Sequence, residues 1–188
     1  MQKGVYAPLT AEPTTEYRTT EEQRPAAGRD ESLGRCIYGY FKNNPHGFEH
    51  CAARLAGLMD PNIKIETVTR PSVDGGRAAI GTYRVGPLAD RISLDFALEA
   101  KCYAAENGVW VKELSRLISR LRHRQFGILV TTSFLGHQAY QELRSDRHPV
   151  VVIAGADIAA ILVKAGLGTP EVVREWLTAD FPTDATIA

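Results

Sequence analysis

Glu99 and Lys101 are the residues whose types and spacing suit a chemical role. They stand two positions apart near the end of an apolar segment that covers residues 92–103. In a β-strand, residues two apart project from the same face, so the carboxylate and the ammonium would lie side by side. Such charged groups are costly to bury unless they are paired or used. Hydrolysis of a phosphodiester requires a divalent cation held by carboxylates and a group that activates water or stabilises charge, and this pair suits half of such a site.

Apolar patterns predict the elements that would position this pair. Helices are predicted at residues 31–41, 46–59, 109–125, 136–144 and 157–165, and a last helix opens at residues 169–171. Strands are predicted at residues 63–68, 79–85, 92–103, 126–131 and 150–154, with a turn at 71–76. The order of these elements predicts a single α/β domain with a mixed central sheet flanked by helices. Within it, we expect Ser133 to cap the helix that follows and Trp110 to be a packing residue.

The composition is that of a globular domain. The chain has 188 residues, of which 44% are hydrophobic and 23% charged, and its formal net charge is zero. No apolar run approaches the roughly 20 residues of a membrane helix. Three scattered cysteines indicate neither a disulfide framework nor a zinc site, and we expect a cytoplasmic location. Residues 1–30 are rich in Thr, Glu and Pro, which predicts a linker or N-terminal arm ahead of a domain that covers residues 31–188.

Four short motifs occur in a fixed order along the chain and carry a resemblance to a known family. They are Phe48-Glu49, the turn Asp74-Gly75-Gly76-Arg77-Ala78, Glu99-Ala100-Lys101 and Thr131-Thr132-Ser133. In this order they resemble the PD-(D/E)XK nuclease superfamily, and within it the Mrr-like restriction endonuclease branch. The resemblance covers residues 31–165. It implies a restriction-endonuclease-like mixed central sheet and a DNA-hydrolysing activity.

Position 78 departs from the pattern of that family. Where its members have a metal-binding aspartate, this chain has Ala78, and twenty residues separate it from Glu99. The resemblance implies that an acid at position 78, Glu99 and the Ala100 carbonyl would hold Mg²⁺ or Mn²⁺. It also implies that Lys101 would orient or deprotonate the attacking water and that Glu49 would point towards the metal. With alanine at position 78, we expect metal binding to be weak or absent and the domain to be an inactive variant.

The alanine leaves two explanations open, which are an engineered Asp-to-Ala change and a natural pseudo-nuclease. Another acid could also replace the missing ligand. Asp95 shares the face of Glu99 but lies about 13 Å before it along a strand, too far to share one ion. Asp74 is nearer to position 78, although its side chain suits a brace for the glycine turn. Glu49 has a structural interpretation too, as an exposed acid on a helix.

The predicted helix at 109–125 concentrates positive charge in a neutral chain. Residues 112–124 include five Lys or Arg against one acid. Three of these arginines recur every four residues on one helix face, and a basic face after Lys101 suits contacts to DNA phosphates. A solvated helix face is the alternative. The candidate DNA-binding residues are Arg77, Lys112, Ser115, Arg116, Arg120 and Arg124.

The motifs and the resemblance predict the catalytic domain of a restriction-type DNA endonuclease that acts on double-stranded DNA. Cutting both strands would require two such domains, so we expect a homodimer or a higher oligomer. No segment resembles a base-reading module, and we expect a separate DNA-recognition domain elsewhere. The alternatives are a repair or junction-resolving nuclease on the same scaffold and a catalytically dead DNA-binding or assembly module.

Overall fold

Among the residues that the structure describes, one mixed sheet of five strands organises the fold. The structure is a computed structural model that describes residues 13–68, 78–119, 121, 124 and 126–182. The strands lie in the order β1-β2-β3-β4-β5, where β1 to β3 are antiparallel neighbours and β3 to β5 are parallel. Their bounds are β1 Ile63–Val68, β2 Ala79–Val85, β3 Ile92–Lys101, β4 Phe126–Thr131 and β5 Val150–Ile153. This architecture confirms the predicted fold class.

Helices cover both faces of the sheet. Their bounds are α1 Thr20–Gln23, α2 Arg29–Phe41, α3 Pro45–Met59, α4 Val111–Ser119, α5 His137–Ser145, α6 Gly155–Lys164 and α7 Pro170–Asp180. Helix α3 begins where the side chain of Asn44 accepts the Gly47 N–H at 2.9 Å, and Pro45 fills a first-turn position that needs no N–H. Thr169 and Pro170 begin α7 in the same way. Local sequence therefore fixes where these two helices start.

Two apolar clusters lie on opposite faces of β3 and β4. Because successive residues of a strand alternate between faces, Leu98 joins one cluster and Ala97 the other. The larger cluster is built mainly from α2, α3, α6, α7 and the sheet, with Leu33, Ile37, Phe41, Phe48, Leu55, Phe96, Ile128, Leu162 and Leu177 among its buried members. The smaller one includes Leu114, Leu117, Leu129, Leu135 and Leu143. The central strands are thus buried on both sides, as the apolar run at 126–131 predicts.

Residues 13–28, which we call the N-terminal strap, pack against the body of the domain. A capping box opens α1, in which the Thr19 N–H donates to a Glu22 carboxylate oxygen at 2.7 Å. This hydrogen bond lowers the pKa of Glu22 below its ordinary value. Gln23 is completely buried, and Arg18 forms an ion pair with Asp157 at 2.8 Å. The strap therefore makes specific contacts with elements far along the chain.

The outer edge of β5 is covered by two arginines. The Val150 carbonyl accepts a hydrogen bond from Nη1 of Arg144, and the Val152 carbonyl accepts one from Nη2 of Arg18, both at 3.2 Å. Alternate carbonyls of an edge strand point away from the sheet and otherwise have no partner within it. Side chains from α5 and from the strap thus satisfy two acceptors of this edge.

The predicted strand bounds agree closely with the structure, whereas one helix is shorter than predicted. Strand β3 ends at Lys101, two residues early, because the N–H and carbonyl of Tyr103 both bond to the Thr132 hydroxyl. The prediction of a helix over 109–125 is wrong in its length, since α4 covers Val111–Ser119. The Ser119 hydroxyl in its last turn donates to the Arg116 carbonyl at 2.9 Å. The predicted turn at 71–76 lies outside the described residues.

Two further structural findings concern the helices and the thiols. Across the described ranges, no helix is both long and apolar enough to cross a membrane. Cys36, Cys51 and Cys102 are all free thiols. Burial raises the pKa of Cys51 well above its ordinary value and that of Cys102 to about 11. Both groups are therefore neutral thiols near pH 7, which makes them poor nucleophiles and poor metal ligands.

Candidate active site

Glu99 and Lys101 lie together at the carboxyl end of β3. Nζ of Lys101 is 2.5 Å from Oε1 of Glu99, and the two side chains are 17% and 5% exposed. Parallel pairing with β4 places Glu99 beside Leu129 and Lys101 beside Thr131. The pair is thus an almost fully buried ion pair at the edge of the sheet where two parallel strands end. Ligand and catalytic sites of α/β proteins commonly occupy this edge.

Two loops at this edge are joined by backbone hydrogen bonds. The Thr132 N–H donates to the Lys101 carbonyl at 3.2 Å, and the Thr132 side chain bonds to both backbone groups of Tyr103. Further along, the Val109 N–H donates to the Phe134 carbonyl at 2.8 Å, and Gly136 donates back to Val109 at 2.8 Å. The segment after Lys101 is therefore fixed to the segment after β4, so the rim of the site is rigid.

Ala78 lies directly before β2 and next to the strand that carries Glu99. Ala79 pairs with Leu98, and the Ala78 N–H donates to the Leu98 carbonyl at 3.1 Å. The backbone of position 78 is thus fixed on the neighbouring strand, bonded to the residue directly before Glu99. Its side chain is a methyl group, and the residue is only 2% exposed. The side chain at position 78 therefore packs in the core, whereas a carboxylate at the same position would be a metal ligand.

The described residues do not fit a divalent cation. No group of three or more His, Cys, Asp or Glu side chains within the described ranges could hold a metal ion. Glu99 contributes one carboxylate, already hydrogen-bonded to Lys101, and the Ala100 carbonyl is a weak ligand without further acids. Asp74 lies outside the described residues. Asp95, four residues before Glu99 on β3, is exposed and lies opposite Thr82 in the backbone ladder. The expected metal ligands at 78, 99 and 100 thus remain a prediction.

The structure gives Glu49 a partner on its own helix. Its carboxylate lies 2.9 Å from Nδ1 of His46, one turn earlier on α3, and its side chain is partly exposed. This contact suits the interpretation of Glu49 as a helix acid. A role for Glu49 at the metal stays a prediction.

The basic residues expected to bind DNA are only partly brought together. Lys112 and Arg116 lie one turn apart on α4, and both are exposed. Ser115 is exposed too, with its hydroxyl donating to the Val111 carbonyl at 2.8 Å. Arg124 follows the end of α4, so the expectation that it extends the same helix face is wrong. Arg77 and Arg120 lie outside the described residues.

Two expectations about individual residues near the site are wrong. Ser133 does not cap α5, because the helix begins at His137 with Gly136 as its N-cap, and Ser133 bonds instead to the Thr131 side chain. Trp110 is not buried, since 54% of it is exposed. Sequence reasoning also missed Gln23, whose side chain binds the loop after β4. The Thr-x-x-Glu pattern ahead of it was the available signal, because it marks a helix start.

The fold and the site together define a nuclease domain of the PD-(D/E)XK class. Glu-x-Lys ends the central strand β3 of a mixed sheet, and a helix and the buried strand β4, parallel to β3, follow it. A family model for restriction endonucleases, Mrr_cat, matches residues 41–162. The chain belongs to this family, as an Mrr-like catalytic domain.

Two solved structures are similar to the chain. One is the DNA modification-dependent restriction endonuclease AspBHI, with 48% identity, a TM-score of 0.82, and coverage of 92% of this chain and 44% of that one. The other is the MspJI restriction endonuclease in complex with a 27-mer oligonucleotide, with 26% identity, a TM-score of 0.74, and coverage of 88% and 39%. The chain therefore spans less than half the length of either protein. No curated protein sequence matches the chain.

Proposed function

We propose that the chain is the catalytic-type domain of a restriction endonuclease that binds double-stranded DNA and, with alanine at position 78, cuts it poorly or not at all. The observation that carries this proposal is the position of Ala78. Its methyl group is buried, and its backbone N–H is hydrogen-bonded to the strand that carries Glu99. Family membership supports the nuclease scaffold, and the MspJI complex with an oligonucleotide supports DNA as the ligand.

The charges at the site support binding without cutting. When both groups are ionised, Glu99 and Lys101 carry no net charge, so the buried pair neither attracts a divalent cation strongly nor repels a phosphate. A second carboxylate would make the site negative, which would favour a cation and disfavour DNA in its absence. Mg²⁺ or Mn²⁺ would supply charge neutralisation at the attacked phosphate when bound. The residues that the structure describes lack the ligands for it, and we therefore expect DNA binding that does not depend on metal.

The activity of the whole protein is a separate proposal. Because AspBHI and MspJI are more than twice as long as the matched region, we propose that a DNA-recognition part lies outside this chain. By analogy with AspBHI, that part would respond to modified DNA. A domain with one set of catalytic groups cuts one strand at a time, so we also propose that two or more copies assemble to cut a duplex.

Replacing Ala78 by aspartate tests the proposal. In EDTA, the parent should bind a DNA duplex as tightly as in Mg²⁺, whereas Ala78→Asp should bind less tightly in EDTA and recover with Mg²⁺. The variant should nick modified or unmodified plasmid in Mg²⁺, while the parent should not. A readout without cleavage is thermal unfolding, because a carboxylate in this buried place destabilises the fold until a metal binds. At 100 times its dissociation constant, the ion would restore about 2.7 kcal/mol.

Two control variants separate chemistry from damage to the fold. Ala78→Asn has a similar shape without the charge, so it should lose stability but gain neither cleavage nor stabilisation by Mg²⁺. In the Ala78→Asp background, Lys101→Ala should abolish cleavage. If the aspartate variant binds DNA but is neither stabilised by metal nor able to cut any plasmid, the nuclease assignment fails. The domain would then be a DNA-binding or assembly module.

A further inference from the structure

Trp110 lies exposed on the rim of the candidate active site. More than half of the residue is exposed, although tryptophan is usually highly buried. Its ring lies against the backbone of Gly136, where a Cβ atom would come within 2.5 Å of ring carbons Cε3 and Cζ3. Gly136 has no side chain, so the ring can contact the loop closely while more than half of the residue faces solvent. The indole is thus held in a defined place without being buried.

The backbone on both sides of the ring is fixed. Val109 forms a bridge with Leu135 and exchanges hydrogen bonds with Phe134 and Gly136, each at 2.8 Å. The Trp110 N–H donates to the Glu113 carboxylate at 3.1 Å, which closes the first turn of α4. The exposed aromatic ring is therefore preorganised, so a ligand that contacts it would order few additional groups.

The ring and the Glu99–Lys101 pair are joined through the same loop after β4. Thr132 bonds to the Lys101 backbone, and Gly136, on which the ring lies, is four residues further along the chain. Four residues span at most about 14 Å. One turn of B-DNA is about 34 Å long, so a duplex that places a phosphate at Lys101 is long enough to span the distance to the ring.

The helix that follows Trp110 carries exposed positive charges. Lys112 and Arg116 are exposed on the helix that begins after Trp110. Of the acids nearby in the chain, Glu113 is hydrogen-bonded to the Trp110 backbone, and Glu106 is exposed in the preceding loop. An exposed aromatic ring at the start of a helix that also carries exposed cations matches a polyanion with planar and apolar groups along its backbone, which describes a nucleic acid strand.

We propose that Trp110 contacts the bound DNA, laying its ring against a base or a deoxyribose of one strand. This inference rests on the proposed function, because it requires that the domain bind DNA at the carboxyl edge of the sheet. Trp110 would be a binding residue that sets the position of the strand relative to Lys101. It would act through a shaped apolar surface, unlike the basic residues, which supply charge alone.

The protein carries its own reporter for this contact. It has two tryptophans, and Trp176 on α7 packs against Phe181 and donates to Asp180. In a Trp176→Phe protein, Trp110 alone emits. Titration with an unlabelled 20-base-pair duplex should quench or shift this emission. The change should occur at the concentrations at which the fluorescence anisotropy of a dye-labelled duplex reports binding. An emission that does not change while anisotropy reports full binding would overturn the proposal.

Variants at the ring give the second measurement. Trp110→Ala should weaken duplex binding about 5- to 150-fold, the range found for loss of one stacking contact, whereas Trp110→Phe should lose less than about 5-fold. Gly136→Ala keeps the indole but displaces it, and should also weaken binding. Binding affinity for the duplex, compared with that for the same duplex carrying a single-stranded extension, distinguishes a contact to a base from a contact to a deoxyribose. A sugar contact gives equal affinities for both, and a base contact favours the extension.

The outcomes for the two proposals are distinguishable. If Lys112→Ala weakens binding while Trp110→Ala binds as tightly as the parent, the role of Trp110 is wrong and the proposed function stands. If the parent and the Ala78→Asp variant both fail to bind any duplex, DNA binding by this domain is wrong and the inference falls with it. Thermal unfolding of each variant shows whether weaker binding reflects a lost contact, since an exposed side chain contributes little to stability.

Discussion

Replacement of Gln23 by alanine tests how firmly the N-terminal strap is joined to the domain. The Gln23 side chain is fully buried, donates to the Leu135 carbonyl at 3.1 Å and accepts the Leu135 N–H at 2.9 Å. Alanine would leave both backbone groups without a partner, and each buried unsatisfied group costs about 1–3 kcal/mol. Some water would enter as the strap relaxes, so we expect a loss of about 2–4 kcal/mol in the free energy of unfolding. For a domain of this size, that lowers Tm by about 4–16 °C.

Two measurements check this prediction at different scales. Urea unfolding followed by circular dichroism gives the free energy, and hydrogen exchange of the Leu135 amide reports the local contact. In Gln23→Ala, that amide should exchange faster than in the parent, while amides in the centre of β4 change only with global stability. Gln23→Glu keeps the size of the side chain but, when ionised, cannot donate to the Leu135 carbonyl. It should therefore be less stable than the parent by a margin that narrows as the pH falls and the carboxyl group is protonated.

The matched control is another amide in an exposed place. Gln138 bonds to Glu142 on the surface of α5 at 2.9 Å, and Gln138→Ala should change stability by less than about 0.5 kcal/mol. A Gln23→Ala protein that unfolds at the same urea concentration as Gln138→Ala, with an unchanged Leu135 exchange rate, would refute the reasoning. The strap would then be a surface extension with no structural role.

Three further predictions concern the thiols, the strap and the sheet. Because burial raises the pKa of Cys102 from 9.0 to about 11, the folded state keeps this proton longer than the unfolded state; stability should fall between pH 9 and 11 in urea titrations, and fall less in Cys102→Ala. Asp157→Ala removes the ion pair to the strap and a bond from the Ala154 N–H at 2.8 Å, and should cost about 1–2 kcal/mol, whereas Arg174→Ala, at an exposed pair, should cost less than about 0.5. In the sheet, Gly81→Ala places a Cβ 2.2 Å from a backbone oxygen of β1 and should cost about 3 kcal/mol or more, while Gly57→Ala, in open space on α3, should stabilise by about 0.5–1; thermal unfolding of both variants measures the difference.

Alternation and helical spacing predict most of the fold because burial in a strand or helix repeats with a local period. Strands β1, β2 and β4 have their predicted bounds, and the shared face of Glu99 and Lys101 follows from the two-residue repeat. The family motif also predicts that position 78 lies near Glu99, and the ladder between β2 and β3 places it there. The roles of these residues stay predictions that the Ala78→Asp experiments would test.

The features that sequence reasoning missed depend on contacts between distant segments. Gln23 stands in a polar stretch that has the composition of a linker, and its partner is 112 residues away. Trp110 follows a loop, so no periodic pattern indicates which side of it faces solvent, and its support is the absence of a side chain at Gly136. Helix α4 begins two residues later than predicted because Val109 forms a bridge with Leu135, a contact between distant segments that no local pattern shows.

The two arginines that cover the outer edge of β5 affect the tendency of the protein to self-associate. A strand at the edge of a sheet can add a strand from a second molecule, because its outward carbonyls accept hydrogen bonds from any extended chain. On β5, two of these acceptors are already bonded to guanidinium groups. One of the two guanidinium groups belongs to the strap, so a chain that lacks the residues up to and including Arg18 would regain an open acceptor at Val152. Loss of the strap would then promote self-association through β5 even under conditions in which the domain stays folded.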